Sequence, residues 1–245
     1  MSSKQQIDKV ESNEDMSKAL LLFSGGQDSA TCLAWALDKY DYVETVGFHY
    51  GQRHDIEMTC RMKVLDTLPR LNEKWENRLG PDHVLDLSVL GQMSETALTR
   101  DVKIEMNEDG LPNTFVPGRN LVFLTFAGAL AYRRGISTLI GGMCQADFSG
   151  YPDCRKETLD AQMNTLSLGL ARRMTLKTPL MNLSKAEAWH LCESLGGSAL
   201  VKCVNELTHS CYKGDHSQLH IWGYGCGACP ACELRAAGWK AYRQS

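Results

Sequence analysis

The stretch from Ala19 to Ala34, ALLLFSGGQDSATCLA, constrains the fold more than any other part of the chain. An apolar run ends at Phe23. Two glycines follow, set between Ser24 and Gln27-Asp28-Ser29, and an apolar pattern with helical spacing then resumes. A short continuous apolar run is the signature of a strand buried on both faces. Gly25 and Gly26 let backbone approach a ligand closely, and Asp28 or Ser29 is expected to cap a helix running to about Asp38. N–H groups of such a turn, joined to a helix N-terminus, form a site for an anion, phosphate above all. Ser24 and Ser29 add hydroxyl donors. The turn lacks the lysine of a G-x-x-x-x-G-K-[ST] loop and does not follow G-x-G-x-x-G.

Strand and helix signals alternate after it. Strands are expected at Tyr42–Tyr50, His83–Ser88, Ile136–Gly142 and Met174–Leu180. Helices are expected from Arg53 to a stop at Pro69, from Arg119 to a stop at Gly135, and from Cys154 to Leu170. Ser184 and Glu187 form an S-x-x-E capping box for a further helix, which Gly196 and Gly197 end. Leu90 to Val116 is irregular, with turns at Gly110 and Pro112. This order predicts an α/β protein with a parallel sheet and helices on both faces. Ligands of such sheets bind beyond the carboxyl ends of the strands, where SGGQDS falls.

The net charge of −3 argues against a chain whose main task is gripping a nucleic-acid backbone. Residues 1–18 are polar, lack the apolar core of a signal peptide, and read as a disordered lead-in. No stretch approaches the roughly 18 apolar residues of a membrane span. A cytoplasmic protein is expected. In that setting the chain's ten cysteines point to metal or catalysis rather than disulfides. Cys226, Cys229 and Cys232 are spaced C-x-x-C-x-x-C, with Cys211 upstream. Four thiolates suit a closed tetrahedral zinc site. An iron–sulfur cluster uses the same ligands, and His209, His216 or His220 can stand in for a cysteine. The expected division is 1–18 lead-in, 19–200 α/β domain carrying the anion-binding turn, and 201–245 metal-binding segment.

SGGQDS resembles the PP-loop of the ATP pyrophosphatases, which adenylate a substrate oxygen and release pyrophosphate. The blocks FSGGQDSATC (Phe23–Cys32), HYGQRH (His49–His54), PNTFVPGRN (Pro112–Asn120), ADFSGYPDCR (Ala146–Arg155), TPL (Thr178–Leu180) and the four cysteines occur in the order found in the 7-cyano-7-deazaguanine synthase family. The resemblance runs from about Ala19 to Tyr242. It implies a Rossmann-like sheet of the adenine nucleotide alpha hydrolase type with a small C-terminal zinc segment. It further implies a C–N-forming ligase that uses ATP, Mg²⁺ and ammonia on 7-carboxy-7-deazaguanine, makes the amide and then the nitrile, and works as a homodimer with no direct nucleic-acid or membrane partner.

On that resemblance Phe23, Ser24, Gly25, Gly26, Gln27, Asp28 and Ser29 hold the nucleotide. Ser24, Asp28, Arg119 and Asp147 carry the chemistry. Arg119, Asp147, Phe148, Ser149, Tyr151, Asp153 and Arg155 contact the deazaguanine, with Tyr151 stacking and the aspartates accepting from ring N–H groups. Two features depart from the pattern. The stretch YKGDHSQLHIWGYG between Cys211 and Cys226 is longer than the usual loop, and no glutaminase motif is present to supply nitrogen. Two other readings stay open: a related protein that binds or transfers a deazaguanine in a DNA-modification or defence system, and a PP-loop RNA thiolase using Cys144 and Cys154.

Overall fold

The computed structural model describes residues 16–54, 56–106, 108, 110–145 and 151–245. The lead-in up to residue 15 lies outside them, as do residues 146–150, and with them Asp147, Phe148 and Ser149. Five parallel strands form the sheet: β1 (Lys18–Leu22), β2 (Tyr42–His49), β3 (Leu79–Asp86), β4 (Thr138–Ile140) and β5 (Thr175–Lys177), with the short helices α3 (Glu73–Glu76) and α4 (Val89–Met93) before and after β3 in the chain. Their order is β3-β2-β1-β4-β5, so the chain winds outward in one direction from β1 and then in the other. The expected parallel sheet is therefore present.

Each face of the sheet has its own apolar layer, because side chains alternate along a strand. Ala19, Leu21 and Phe23 pack toward α1 (Gln27–Lys39) and α7 (Lys185–Leu207), among Leu33, Leu37, Trp189 and Val204. Leu20 and Leu22 point the other way, with Val46 and Phe48, onto Leu124, Ala127 and Ala131 of α5 (Arg119–Arg133) and onto α6 (Lys156–Gly169). On this second face Gly128 lets α5 settle against Leu166 of α6. A strand buried on both sides needs the unbroken apolar run that Ala19 to Phe23 supplies.

The capping box forms as expected: Ser184 Oγ accepts from the Glu187 N–H, and the Glu187 carboxylate accepts from the Ser184 N–H. Gly196 and Gly197 break the helical path as expected, Gly197 with φ +61°. A second helical stretch then continues to Leu207, so positions 200 and 201 lie within α7. Strand β3 begins four residues before its expected start because Gly80 and Pro81 read as a turn. Proline is tolerated on this outermost strand, and a Cβ at Gly80 would fall 2.5 Å from the Tyr42 ring. The helix cap is a correction. Gly26 occupies the N-cap of α1 with no side-chain capping bond, and Asp28 and Ser29 lie inside the first turn.

The strands are tied by charge as well as by ladder bonds. Arg61, on α2 (Ile56–Thr67), is fully buried. It pairs with Asp82 of β3, and its Nε donates to the Phe23 carbonyl at 2.8 Å. Thr45 of β2 also donates to Asp82. Breaking a buried ion pair from one side leaves a desolvated charge. Asp82→Ala is expected to cost about 3 kcal/mol in urea denaturation, whereas loss of the Ser184 cap in Ser184→Ala should cost about 1 kcal/mol.

Candidate active site

The turn after β1 sits at the point where the strand order reverses, the usual ligand position of an open parallel sheet. Its backbone is over-determined. The Phe23 N–H donates to Val46 O at 2.8 Å, extending the β1–β2 ladder beyond the strand. Gly25 takes φ +94°, and a Cβ there would lie 2.6 Å from the Glu57 carbonyl oxygen and 2.8 Å from the Arg61 nitrogen. Only glycine meets both conditions. Ser29 Oγ accepts from the Gly25 N–H at 3.2 Å and donates to Gly26 O at 3.1 Å, and Ser24 Oγ accepts from the Gly26 N–H at 3.3 Å. From the other side the His209 N–H donates to Gly25 O at 3.3 Å. The glycine pair is thus clasped between α2 and the residues that follow α7.

A cavity of about 380 Å³ opens over this turn, within the range that takes a small-molecule ligand. Its walls are the turn itself, Tyr50 after β2, Glu57 in the first turn of α2, Arg119 and Asn120 at the start of α5, residues 142–144 after β4, Lys185, and the segment 209–212. Arg235 of α8 (Pro230–Tyr242) lines it as well. The Arg119 guanidinium lies over the Tyr50 and Tyr151 rings, 5.6 and 5.9 Å from their centroids. Lys185 Nζ pairs with Asp28 Oδ2 at 2.6 Å.

The lining is electropositive on balance. Among the described lining residues Arg119, Lys185 and Arg235 face two carboxylates, Asp28 and Glu57. Burial pushes the Glu57 carboxyl up to about 7, against the pull of Arg119. Burial also pushes the Arg235 guanidinium down to about 10, still charged at neutral pH. Gln27 Nε2 and Asp28 Oδ1 are buried without a hydrogen-bond partner. Buried polar atoms are rarely left so, and both lie at the mouth of the turn where a polyanion with its cation would meet them.

The structure gathers some of the expected residues and separates others. Phe23, Ser24, Gly26, Gln27, Asp28, Ser29, Arg119 and Tyr151 line the cavity, and Gly25 shapes the turn from behind. Tyr151 is fixed by a 2.6 Å hydrogen bond between its hydroxyl and Thr114 Oγ1. Asp153 anchors the first turn of α5 with one oxygen, its Oδ2 accepting from the Asn120 N–H at 2.9 Å, while its Oδ1 is buried without a hydrogen-bond partner. Arg155 is exposed at the N-cap of α6 and does not line the cavity. Asp147, Phe148 and Ser149 belong to the segment beyond the described residues. Lys185 and Glu57 went unread in the sequence. Lys185 looks like the first residue of a surface helix, and Glu57 like one charge among several in RHDIEMTCR. Cys154 lines the cavity too, and burial pushes its thiol up to about 11.

The four cysteines do converge. The Sγ atoms of Cys211, Cys226, Cys229 and Cys232 lie within 4.8 Å of one another. Cys211–Cys229 and Cys226–Cys232 are each 3.9 Å apart. A tetrahedral ion with metal–sulfur bonds of about 2.3 Å needs sulfurs about 3.8 Å apart, so the cluster fits a metal. Hydrogen bonds from Cys229 and Cys232 hold the Cys211 thiol far below its ordinary range. The histidines are excluded from the set. His209 bonds Cys211 O and His216, and His220 Nε2 bonds Gly225 O at 2.9 Å while stacking on Trp222. The long stretch between Cys211 and Cys226 forms a small hairpin, β6 (Leu219–His220) with β7 (Gly223–Tyr224), beside this cluster.

A glycine turn at the switch point of a doubly wound parallel sheet, under a cation-rich cavity, defines a PP-loop type of nucleotide-binding α/β protein. The chain belongs to the QueC family: the model of "Queuosine biosynthesis protein QueC" matches residues 18–243. It is 62% identical over 224 residues to the 7-cyano-7-deazaguanine synthase of Bradyrhizobium sp. (strain BTAi1), covering 91% of this chain and 94% of that one. It is 61% identical over 227 residues to 7-cyano-7-deazaguanine synthase 2 of Sphingopyxis alaskensis, covering 93% and 96%. Among solved structures, a 4-thiouridine synthetase–RNA complex with bound ATP shares the fold, with a TM-score of 0.53 at 15% identity over 93% of this chain and 53% of that one.

Metal at the cysteine cluster is expected to be stoichiometric with the chain. Cys229→Ala should lose it and melt at a lower temperature, since binding at a four-thiolate site is folding free energy. Elemental analysis with thermal melts checks this, and a metal-free native protein that melts like the loaded one would remove the site.

Proposed function

We propose that this chain converts 7-carboxy-7-deazaguanine and ammonia to 7-cyano-7-deazaguanine at the expense of ATP. The observation that carries the reading is the clasped glycine turn under an electropositive cavity, in a chain about 60% identical to proteins named for that synthesis. The turn N–H groups and the Ser24 and Ser29 hydroxyls face the phosphates of ATP. Lys185 and Arg119 offset their charge. Mg²⁺ fits at Asp28, whose Oδ1 is without a partner, and its chemistry is to neutralise the phosphates as pyrophosphate leaves.

The substrate carboxylate attacks the α-phosphorus of ATP, and the acyl adenylate and pyrophosphate form. Ammonia then displaces AMP to give the amide. The amide oxygen is adenylated in turn, and loss of AMP leaves the nitrile. Arg119, held over Tyr50 and Tyr151, positions the acidic end of the substrate, and the Tyr151 ring offers a stacking face. Asp147 is retained as a contact to the ring. Zinc is the metal we assign to the four cysteines. With four protein ligands it has no open position for substrate, so its contribution is to hold the C-terminal segment against the turn. Free ammonia serves as nitrogen donor, and a cytoplasmic homodimer completes the reading. No helix among the described residues is long and apolar enough to cross a membrane. Thiolation of RNA is the weaker reading, since a thiol pushed up to about 11 is not poised as a nucleophile.

Turnover with labelled ATP is expected to yield AMP and pyrophosphate by chromatography; ADP and phosphate as sole products would sink the mechanism. Asp28→Ala should fold and keep its metal, yet form AMP at least about a hundredfold more slowly, because it removes a group that positions the phosphates. Neither amide nor nitrile should accumulate. An Asp28→Ala protein that makes amide at the wild-type rate would reduce Asp28 to a helix-turn residue.

A further inference from the structure

The synthesis has a requirement that the phosphate turn does not meet: protons must leave nitrogen. Adenylation of a carboxylate moves no proton. Conversion of the amide to the nitrile releases two. The amide oxygen forms a bond to the α-phosphorus, pyrophosphate leaves with its bond pair, and the nitrogen gives up one proton to become an imidate. The nitrogen then gives up its second proton, that electron pair completes the C≡N bond, and the C–O bond breaks with its pair going to AMP. A base near neutrality that faces the reacting carbon meets both demands.

Two carboxylates line the cavity among the described residues. Asp28 is paired with Lys185 beside the phosphate turn. Glu57 stands apart from it, in the first turn of α2, its carboxylate making no hydrogen bond or ion pair with another described residue. Its own backbone carbonyl packs on Gly25, so the side chain is carried by the element that shapes the turn. Arg119 of α5 and Tyr50 of the loop after β2 are the charged and titratable groups facing it, and Cys60 lies beside it on α2. His209 and Ser210 line the same cavity. It is also the one acidic cavity residue just downstream of HYGQRH, a block to which the phosphate chemistry gives no role.

We propose that Glu57 is the proton acceptor for the nitrogen of the amide and imidate, and that Asp28 is not. This rests on the reading of the reaction given above. Burial pushes the Glu57 carboxyl up to about 7, so the base is ionised above neutrality and is strong enough to accept a proton when it is.

Two half-reactions separate this role from the rest of the site. Acid-dependent ATP–pyrophosphate exchange needs the turn but no base. Nitrile formation from the amide, with no ammonia added, needs both. Glu57→Gln, checked for wild-type melting and metal content, is expected to keep exchange within about threefold and to lose nitrile formation by about a hundredfold or more. In the wild type, nitrile formation should rise with pH and level off above about 7; in Glu57→Gln the profile should be flat. Nitrile formation within threefold of wild type, equal loss of both half-reactions, or a wild-type profile flat from about pH 6 to 8 would each overturn the proposal. If Glu57→Gln does not fold, the wild-type profile decides alone. A wild type that shows no acid-dependent exchange would instead bring down the reading of the reaction, and this proposal with it.

Discussion

The buried guanidinium of Arg61 is the contact on which the site most depends. A charge removed from water must be satisfied on every side, and Arg61 finds its partners on two strands: Asp82 and His83 O of β3, and the Phe23 carbonyl at the end of β1. Asp82 is in turn held by Thr45 of β2. The demand of one desolvated cation therefore fixes where β1 stops and how the chain leaves it. Gly47 and Gly25 are the spaces this requires, since a Cβ at either would collide with Arg61. A neutral side chain of the same size would fill the volume without locating the turn.

A second buried guanidinium performs the same service from the other end of the chain. Arg235 donates to Trp222 O, Val204 O, Asn205 O and Ser210 Oγ. It joins the helix that begins at the cysteine cluster to the end of α7 and to the residues that back the glycine pair. The cluster and the cavity are thereby tied through one buried side chain. This accounts for four converging cysteines lying so near the cavity.

What could be read in the sequence was whatever is specified over a few residues. The apolar run of β1, the capping box at Ser184, the break at Gly196-Gly197 and the C-x-x-C-x-x-C spacing are local patterns with one physical meaning each. The misreadings have long-range causes. Asp28 has the type and place of a helix cap, but Lys185, far along the chain, takes its carboxylate. Strand β3 hid behind Gly80 and Pro81, which are tolerable only because the strand lies at the sheet edge and Tyr42 fills the space. Glu57 carries no local mark at all; its place in the cavity beside Arg119 gives it its character, and that neighbourhood is not written in a nine-residue stretch.

The clasp on Gly25 and Gly26 joins the first strand to residues that follow nearly two hundred others, and this bears on how the molecule is made. Chains are synthesised from the N-terminus, and contacts between distant segments form late because loop closure must come first. The sheet, with its strand order built outward from β1, can assemble while the rest of the chain is still emerging. The turn cannot take its final shape until His209, Ser210 and Arg235 have arrived. A chain made only as far as the sheet thus holds an unclasped glycine turn, and the turn is completed by residues 209 to 235 rather than by the strands that surround it.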